Sequence, residues 1–174
     1  MYEDLAIIRY PDPRLRKRSE PVSQFDDKLD ALGRRMLALM KEAKGVGLAA
    51  PQVGINLRLF VMNHTGQPQD DRVIVNPILS LADGEEEDDE GCLSLPNINI
   101  PVLRSRTLKL TAQDVNGNKI EETATGYVAR IWQHENDHLD GIMLLDRMTP
   151  TMKMGFRRQI REMEDAFAKA AKKA

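Results

Sequence analysis

The run His134-Glu135-Asn136-Asp137-His138 has the form HExxH. On a helix, residues four apart lie one above the other, so both imidazoles face the same way and can grip one metal ion. Glu135 then projects beside that ion, where it can take a proton from water and return it to a leaving nitrogen. The plainer alternative is a solvated, charge-rich helix in which two histidines merely share this spacing. A catalytic metal usually takes three protein ligands and keeps one position open, so the third ligand decides the chemistry. Continuing the motif as HExxHxxGxxH puts Gly141 in the glycine place but Leu144 in the last ligand place, and that extension fails. A glutamate from a later helix, Glu162 or Glu164, stays open as the third ligand. So does Cys92, whose thiolate suits a borderline or soft divalent metal, although the commoner fate of an isolated cysteine is buried apolar filler.

The histidines need a helix, and Tyr127 to His138 supplies one: Tyr127, Val128, Ile131, Trp132, Glu135 and His138 or Leu139 share a face, with Gly141 as a C-terminal cap. Upstream, Leu29, Leu32, Met36, Leu39, Met40 and Ala43 recur at helical spacing behind Asp26 and Asp27, predicting an amphipathic helix over 26–43 stopped by Gly45. Short β-branched and apolar runs at 57–63 and 72–80 predict two strands, the second at a sheet edge because of Pro77. Alternation over 106–114, the reversal Asn116-Gly117 and the return over 118–123 predict a hairpin. Thr149-Pro150 opens a third helix striped by Met152, Phe156, Ile160, Met163 and Phe167, with a frayed tail over 169–174. Helix, strands, hairpin, helix, helix is the order of an α+β fold, since a parallel sheet would need regular βαβ alternation. The acidic run 83–90 reads as a solvated loop or strand end. Within it Glu90 is placed to hold Arg104 or another basic group near Cys92.

At 174 residues with 41% apolar content, the chain is sized for one core and one domain, 1–174. Lys and Arg number 25 against 27 Asp and Glu, so no global field recruits nucleic acid or an anionic membrane. No apolar run approaches the roughly 20 residues of a membrane span, and the first residues lack a signal pattern. The lone cysteine agrees with a reducing compartment, and the expected location is cytoplasmic.

Three segments, Gly45-Val46-Gly47-Leu48-Ala49-Ala50-Pro51-Gln52, Glu90-Gly91-Cys92-Leu93-Ser94 and Gln133-His134-Glu135-Asn136-Asp137-His138-Leu139-Asp140-Gly141, resemble in sequence and order the signature motifs of the peptide deformylases. The resemblance runs nearly from end to end. It implies small mixed or antiparallel sheets packed around the central HExxH helix, flanked by an N-terminal and a C-terminal helix. It implies Cys92, His134 and His138 as ligands of one divalent metal, ferrous iron in the cell, with nickel, cobalt or zinc able to substitute. Glu135, Gln52 and Leu93 become the catalytic surround. The implied substrate is the N-formylmethionyl end of nascent chains, a transient ribosome contact being left open. The glycines Gly45, Gly47 and Gly91 let an extended peptide approach the backbone closely, while Val46 and Ile131 suit an apolar pocket for methionine. Two positions depart from the family pattern: Asn136 stands where an apolar residue is usual, and Asn99 where many bacterial members carry an arginine that contacts the substrate backbone. Two other readings compete: a metallopeptidase using Glu162 or Glu164, and a binding module with a closed structural metal site.

Overall fold

The structure is a computed structural model that describes residues 1–172. Helix α1 (Asp27–Glu42) starts where Asp26 accepts hydrogen bonds from the backbone N–H groups of Lys28 and Leu29. Such a cap satisfies donors that have no partner within the helix. Its stripe of Leu29, Leu32, Met36, Leu39 and Met40 is buried. There follow β1 (Gly47–Ala49), β2 (Leu59–Met62), β3 (Arg72–Cys92), β4 (Leu95–Gln113) and β5 (Lys119–Thr125), joined in that order into one antiparallel sheet. Helix α2 (Tyr127–Leu139), α3 (Pro150–Gly155) and α4 (Arg157–Ala171) complete the chain. The fold is α+β, with α1 and α2 each packed on the sheet.

Two expectations change and a third narrows. The strand containing Pro77 is interior in the sheet order, paired with β2 over 72–75 and with β4 from Val75 onward. Pro77 is tolerated because the β2 ladder has ended there and the β4 ladder shifts register between Val75 and Ile78. A residue without an N–H meets no demand for one in that bulge. Of the two readings of the acidic run, loop or strand end, the structure takes the strand, and at length: Asp83 to Glu90 pair with Thr107 to Ile100 of β4. Backbone pairing needs no apolar side chain, and β4 supplies the buried face through Ile98, Ile100 and Val102, so the acids up to Asp89 stay exposed. The last helix is divided at Phe156, whose φ of −97° and ψ of 9° leave helical geometry. Met152, Phe156, Ile160 and Met163 nevertheless pack against one apolar cluster with Leu15 and Leu95, whereas Phe167 is 38% exposed beyond it. Helix α4 extends to Ala171, and residues 173–174 of the tail read as frayed lie outside the described residues.

The 106–123 hairpin stands as expected, its turn closed by Asp114, whose carboxylate accepts from the backbone N–H groups of Asn116 and Asn118. Two apolar clusters lie against the sheet, one under α1 with Met36, Met40 and Leu59, the other under α2 with Trp132, Phe60 and Leu110. The residues that could do chemistry sit where α2, the end of β3 and β1 converge.

Candidate active site

Helix α2 carries His134, Glu135 and His138, and Cys92 closes β3 just before a tight turn into β4. The ligating atoms of Cys92, His134 and His138 all lie within 4.8 Å of one another. Cys92 Sγ is 3.3 Å from His138 Nε2. Glu162 and Glu164 are engaged elsewhere: Glu162 pairs with Arg158 at 2.8 Å, and Glu164 accepts from the Tyr10 hydroxyl at 2.7 Å.

His134 is oriented by Glu90, whose Oε2 lies 2.8 Å from Nδ1. A carboxylate only accepts, so this contact sets the proton on Nδ1 and frees Nε2 as a ligand atom. Glu90 is itself buried and fully engaged. Arg104 donates to both its oxygens at 2.8 and 2.9 Å, and Arg130 donates to Oε1 at 2.9 Å. Burial alone would raise the carboxyl pKa of Glu90, but Arg104 and His134 hold it well below the usual carboxylate range. Arg104 extends the network to Asp137 at 2.7 Å, which in turn accepts from Arg147 at 2.7 Å. A buried charge without such partners would be prohibitively costly.

The donor set fits a soft or borderline cation, since it offers one thiol and two imidazoles at mutual ligand distance. The electrostatics agree. Burial would push the Cys92 thiol up, yet the charges of His138 and His134 bring it down to about 5. Such a site favours thiolate beside positive charge. Glu135 is 4% exposed and lies against Gly47, where an added Cβ would meet its Oε1 at 2.3 Å. Burial is the chief reason its pKa rises to about 7.

Gln52 reaches the cluster from a tight helical turn after β1 (Ala50–Val53). Its Oε1 accepts from the Ala49 backbone N–H at 2.8 Å, which points Nε2 toward Ser94 Oγ at 3.1 Å and Cys92 Sγ at 3.6 Å. Ser94 is locked in turn by donating to the Ile8 carbonyl at 2.8 Å. Gly45, Val46, Gly47, Gln52, Gly91, Cys92, Leu93, Ile131, His134 and Glu135 line one cavity of about 630 Å³. His138 stands behind it, 1% exposed. Asn99 also lines the cavity, opposite Gly91 in the β3–β4 register. Asn136 faces away, accepting from Arg58 at 3.1 Å. A polar residue there gains a partner that an apolar one would lack.

Sequence reasoning anticipated Arg104 beside Glu90 but missed Arg130 and Ser94. Arg130 is 5% exposed and donates to the carbonyls of Val102 at 2.8 Å and Glu86 at 2.7 Å, as well as to Glu90. Its signal was an arginine one helical turn before His134, on a face otherwise destined for burial. Ser94 had no such signal beyond its place in the cysteine segment.

Comparison with known proteins adds an independent line. The sequence profile of the polypeptide deformylases matches residues 5–154. A peptide deformylase of Thermotoga petrophila is 42% identical over 155 residues, covering 88% of this chain and 93% of that protein. Among solved structures, a peptide deformylase from Legionella pneumophila is similar with a TM-score of 0.88 at 40% identity, covering 94% of this chain and 97% of the other. A plant peptide deformylase is similar with a TM-score of 0.92 at 36% identity, over 98% and 94% of the two chains.

Proposed function

The chain belongs to the polypeptide deformylase family, an enzyme family acting on N-formylmethionyl peptides, and from that premise we propose that Cys92, His134 and His138 hold one divalent metal at which the formyl group is removed. The observation that carries this reading is the convergence of those three ligating atoms, from segments far apart in the chain, beside buried Glu135. Ferrous iron is the proposed metal in the cell, and zinc, nickel or cobalt would fit the same donors. When bound, the metal supplies Lewis acidity, lowering the pKa of water and stabilising negative charge on a carbonyl oxygen.

The protein groups account for the remaining chemistry. Glu135 accepts the proton from the attacking water, and the oxygen adds to the formyl carbon. Negative charge then gathers on the formyl oxygen, which the Gln52 side-chain amide and the Leu93 backbone N–H meet as donors. Because Gln52 is fixed through Oε1 and Ser94, its N–H is aimed before substrate arrives. Glu135 gives its proton to the methionine nitrogen as the C–N bond breaks, leaving formate and a free amino terminus. Val46 and Ile131 take the methionine side chain, and the backbone near Gly45, Gly47 and Gly91 pairs with the extended peptide. In this reading the chain acts as one catalytic domain, in the cytoplasm, on nascent chains. A lone thiol agrees with such a reducing compartment.

The test is metal analysis of anaerobically purified protein with turnover of formyl-Met-Ala-Ser on the same sample. One metal per chain is expected in the parent, and Cys92→Ser should lose most of its iron or shift toward zinc, because a hydroxyl is a far poorer soft ligand. Unchanged stoichiometry and turnover in that variant would sink the three-ligand assignment.

A further inference from the structure

A second cavity, of about 590 Å³, lies between residues 7–12 and helix α4. It adjoins the cleft of the candidate active site, with Ile7, Arg9, Pro96 and Asn97 lining both. The Tyr10 hydroxyl, donating to Glu164 at 2.7 Å, ties the two walls of this second groove together. The α4 wall is apolar at Met163, Ala166 and Phe167, and the latter two are exposed to solvent. None of these groups has a part in deformylation as derived above.

We propose that this groove is a second peptide-binding subsite, which takes apolar side chains of the substrate a few residues downstream of the formyl-methionine. The proposal rests on the deformylase reading above. The two cavities share four lining residues, and this adjacency favours the substrate's own downstream chain as the occupant. With the methionine side chain against Val46 and Ile131, a longer polypeptide must leave the cleft, and the α4 groove adjoins the cleft at Arg9 and Asn97. Cavities of this size are on the order of 8–10 Å across, and an extended chain advances roughly 3.3 Å per residue, so the second groove is reached about three residues beyond methionine. An apolar side chain laid on Met163 and Phe167 leaves water on both sides of the contact. Because the subsite lies beyond the reacting bond, it contributes to binding equally before and during the reaction and acts through KM.

The experiment compares three substrates of the metal-loaded enzyme: formyl-Met-Ala-Ser, formyl-Met-Ala-Ser-Ala-Leu-Leu and formyl-Met-Ala-Ser-Ala-Ser-Ser. The Leu-containing hexapeptide should show kcat/KM about fivefold or more above both others, carried by KM, as partial burial of one or two apolar side chains implies. Ala166→Arg and Phe167→Asp, both surface changes, should each remove that gain while leaving the tripeptide unchanged. A photoreactive benzoylphenylalanine at the fifth peptide position should label residues 159–167 or 7–12. Equal kcat/KM for all three substrates, a gain that survives both variants, or labelling confined to other segments would each overturn the subsite. If Phe167→Asp instead dissociates a dimer, seen by light scattering, while the gain persists, the face belongs to a second copy and the proposal is wrong. Failure to turn over the tripeptide itself would be a different result, removing the deformylase reading and the subsite with it.

Discussion

Glu135 separates a catalytic site from a metal-stabilised binding module, because only the former needs its carboxylate. Glu135→Gln keeps the size of a buried side chain and leaves Cys92, His134 and His138 untouched. Metal content should stay at the parent level while turnover of formyl-Met-Ala-Ser falls by several orders of magnitude, since water activation and protonation of the leaving nitrogen use the same group. Turnover within a few-fold of the parent in a metal-replete sample would favour the binding module. Glu90 illustrates the opposite kind of residue, one whose effect passes through another. Its carboxylate is taken up by His134 and two arginines, and a fully partnered carboxylate of this sort fixes the orientation of the imidazole it touches.

Among the elements, β1 and α2 are set by how closely they approach. Gly47 faces Glu135 so tightly that a Cβ would stand 2.7 Å from its Cδ and 2.9 Å from its Cγ. To make room, the carboxylate would have to swing away from β1 into the cleft that it lines. Gly47→Ala should therefore displace Glu135 and lower kcat/KM by about a hundredfold or more, as misplacement of a catalytic group by about 1 Å does elsewhere. The thermal midpoint should move little by comparison, and a variant with parental kinetics would show that Glu135 does not need this contact. Arg130 shows a second way that elements are joined. Beyond residue 75 the only strand paired with β3 among the described residues is β4, and the guanidinium of this helical residue donates to the Glu86 carbonyl of β3 and the Val102 carbonyl of β4. The β3 end that presents Cys92 is thereby tied to the helix that presents the histidines.

At the scale of the whole molecule, the site depends on α2 being held against the sheet, and Trp132 is the largest fully buried side chain in the protein. Its indole N–H has no hydrogen-bond partner among the described residues, so its contribution is volume and contact. Trp132→Ala should destabilise the fold by about 3–5 kcal/mol, whereas Trp132→Phe, which removes less volume and breaks no hydrogen bond, should cost less than half of that. Urea unfolding of both variants checks the ordering; equal losses would mean that the indole N–H is engaged after all. The charges of the whole chain, 25 basic against 27 acidic, nearly cancel, while the acids of 83–89 are gathered along the exposed part of β3.

Local chemistry was legible without a structure. The i, i+4 histidines, the Asp26 and Thr149 caps, and the Asp114–Asn118 reversal depend on neighbours a few residues away, and each formed where its spacing required. The α+β class followed from element order, and the family from three motifs in sequence. Other features depended on partners remote in the chain. Cys92 meets His138 across 46 residues and Glu90 meets His134 across 44, distances over which spacing carries no geometric information. Pro77 argued for an edge strand, yet β3 is interior at 72–75 and Pro77 falls where the β2 ladder has ended and the β4 ladder is bulged. Acidity left loop and strand end open for 83–90, and pairing with β4 made it strand, because a ladder needs only N–H and C=O groups in register. The HExxH spacing by itself left Cys92, Glu162 and Glu164 open as the histidines' neighbour, and the resemblance carried by all three motifs named Cys92. Only the tertiary structure brings Cys92 there, because β3 ends beside α2, while Glu162 and Glu164 lie on α4 with Arg158 and Tyr10 as their partners.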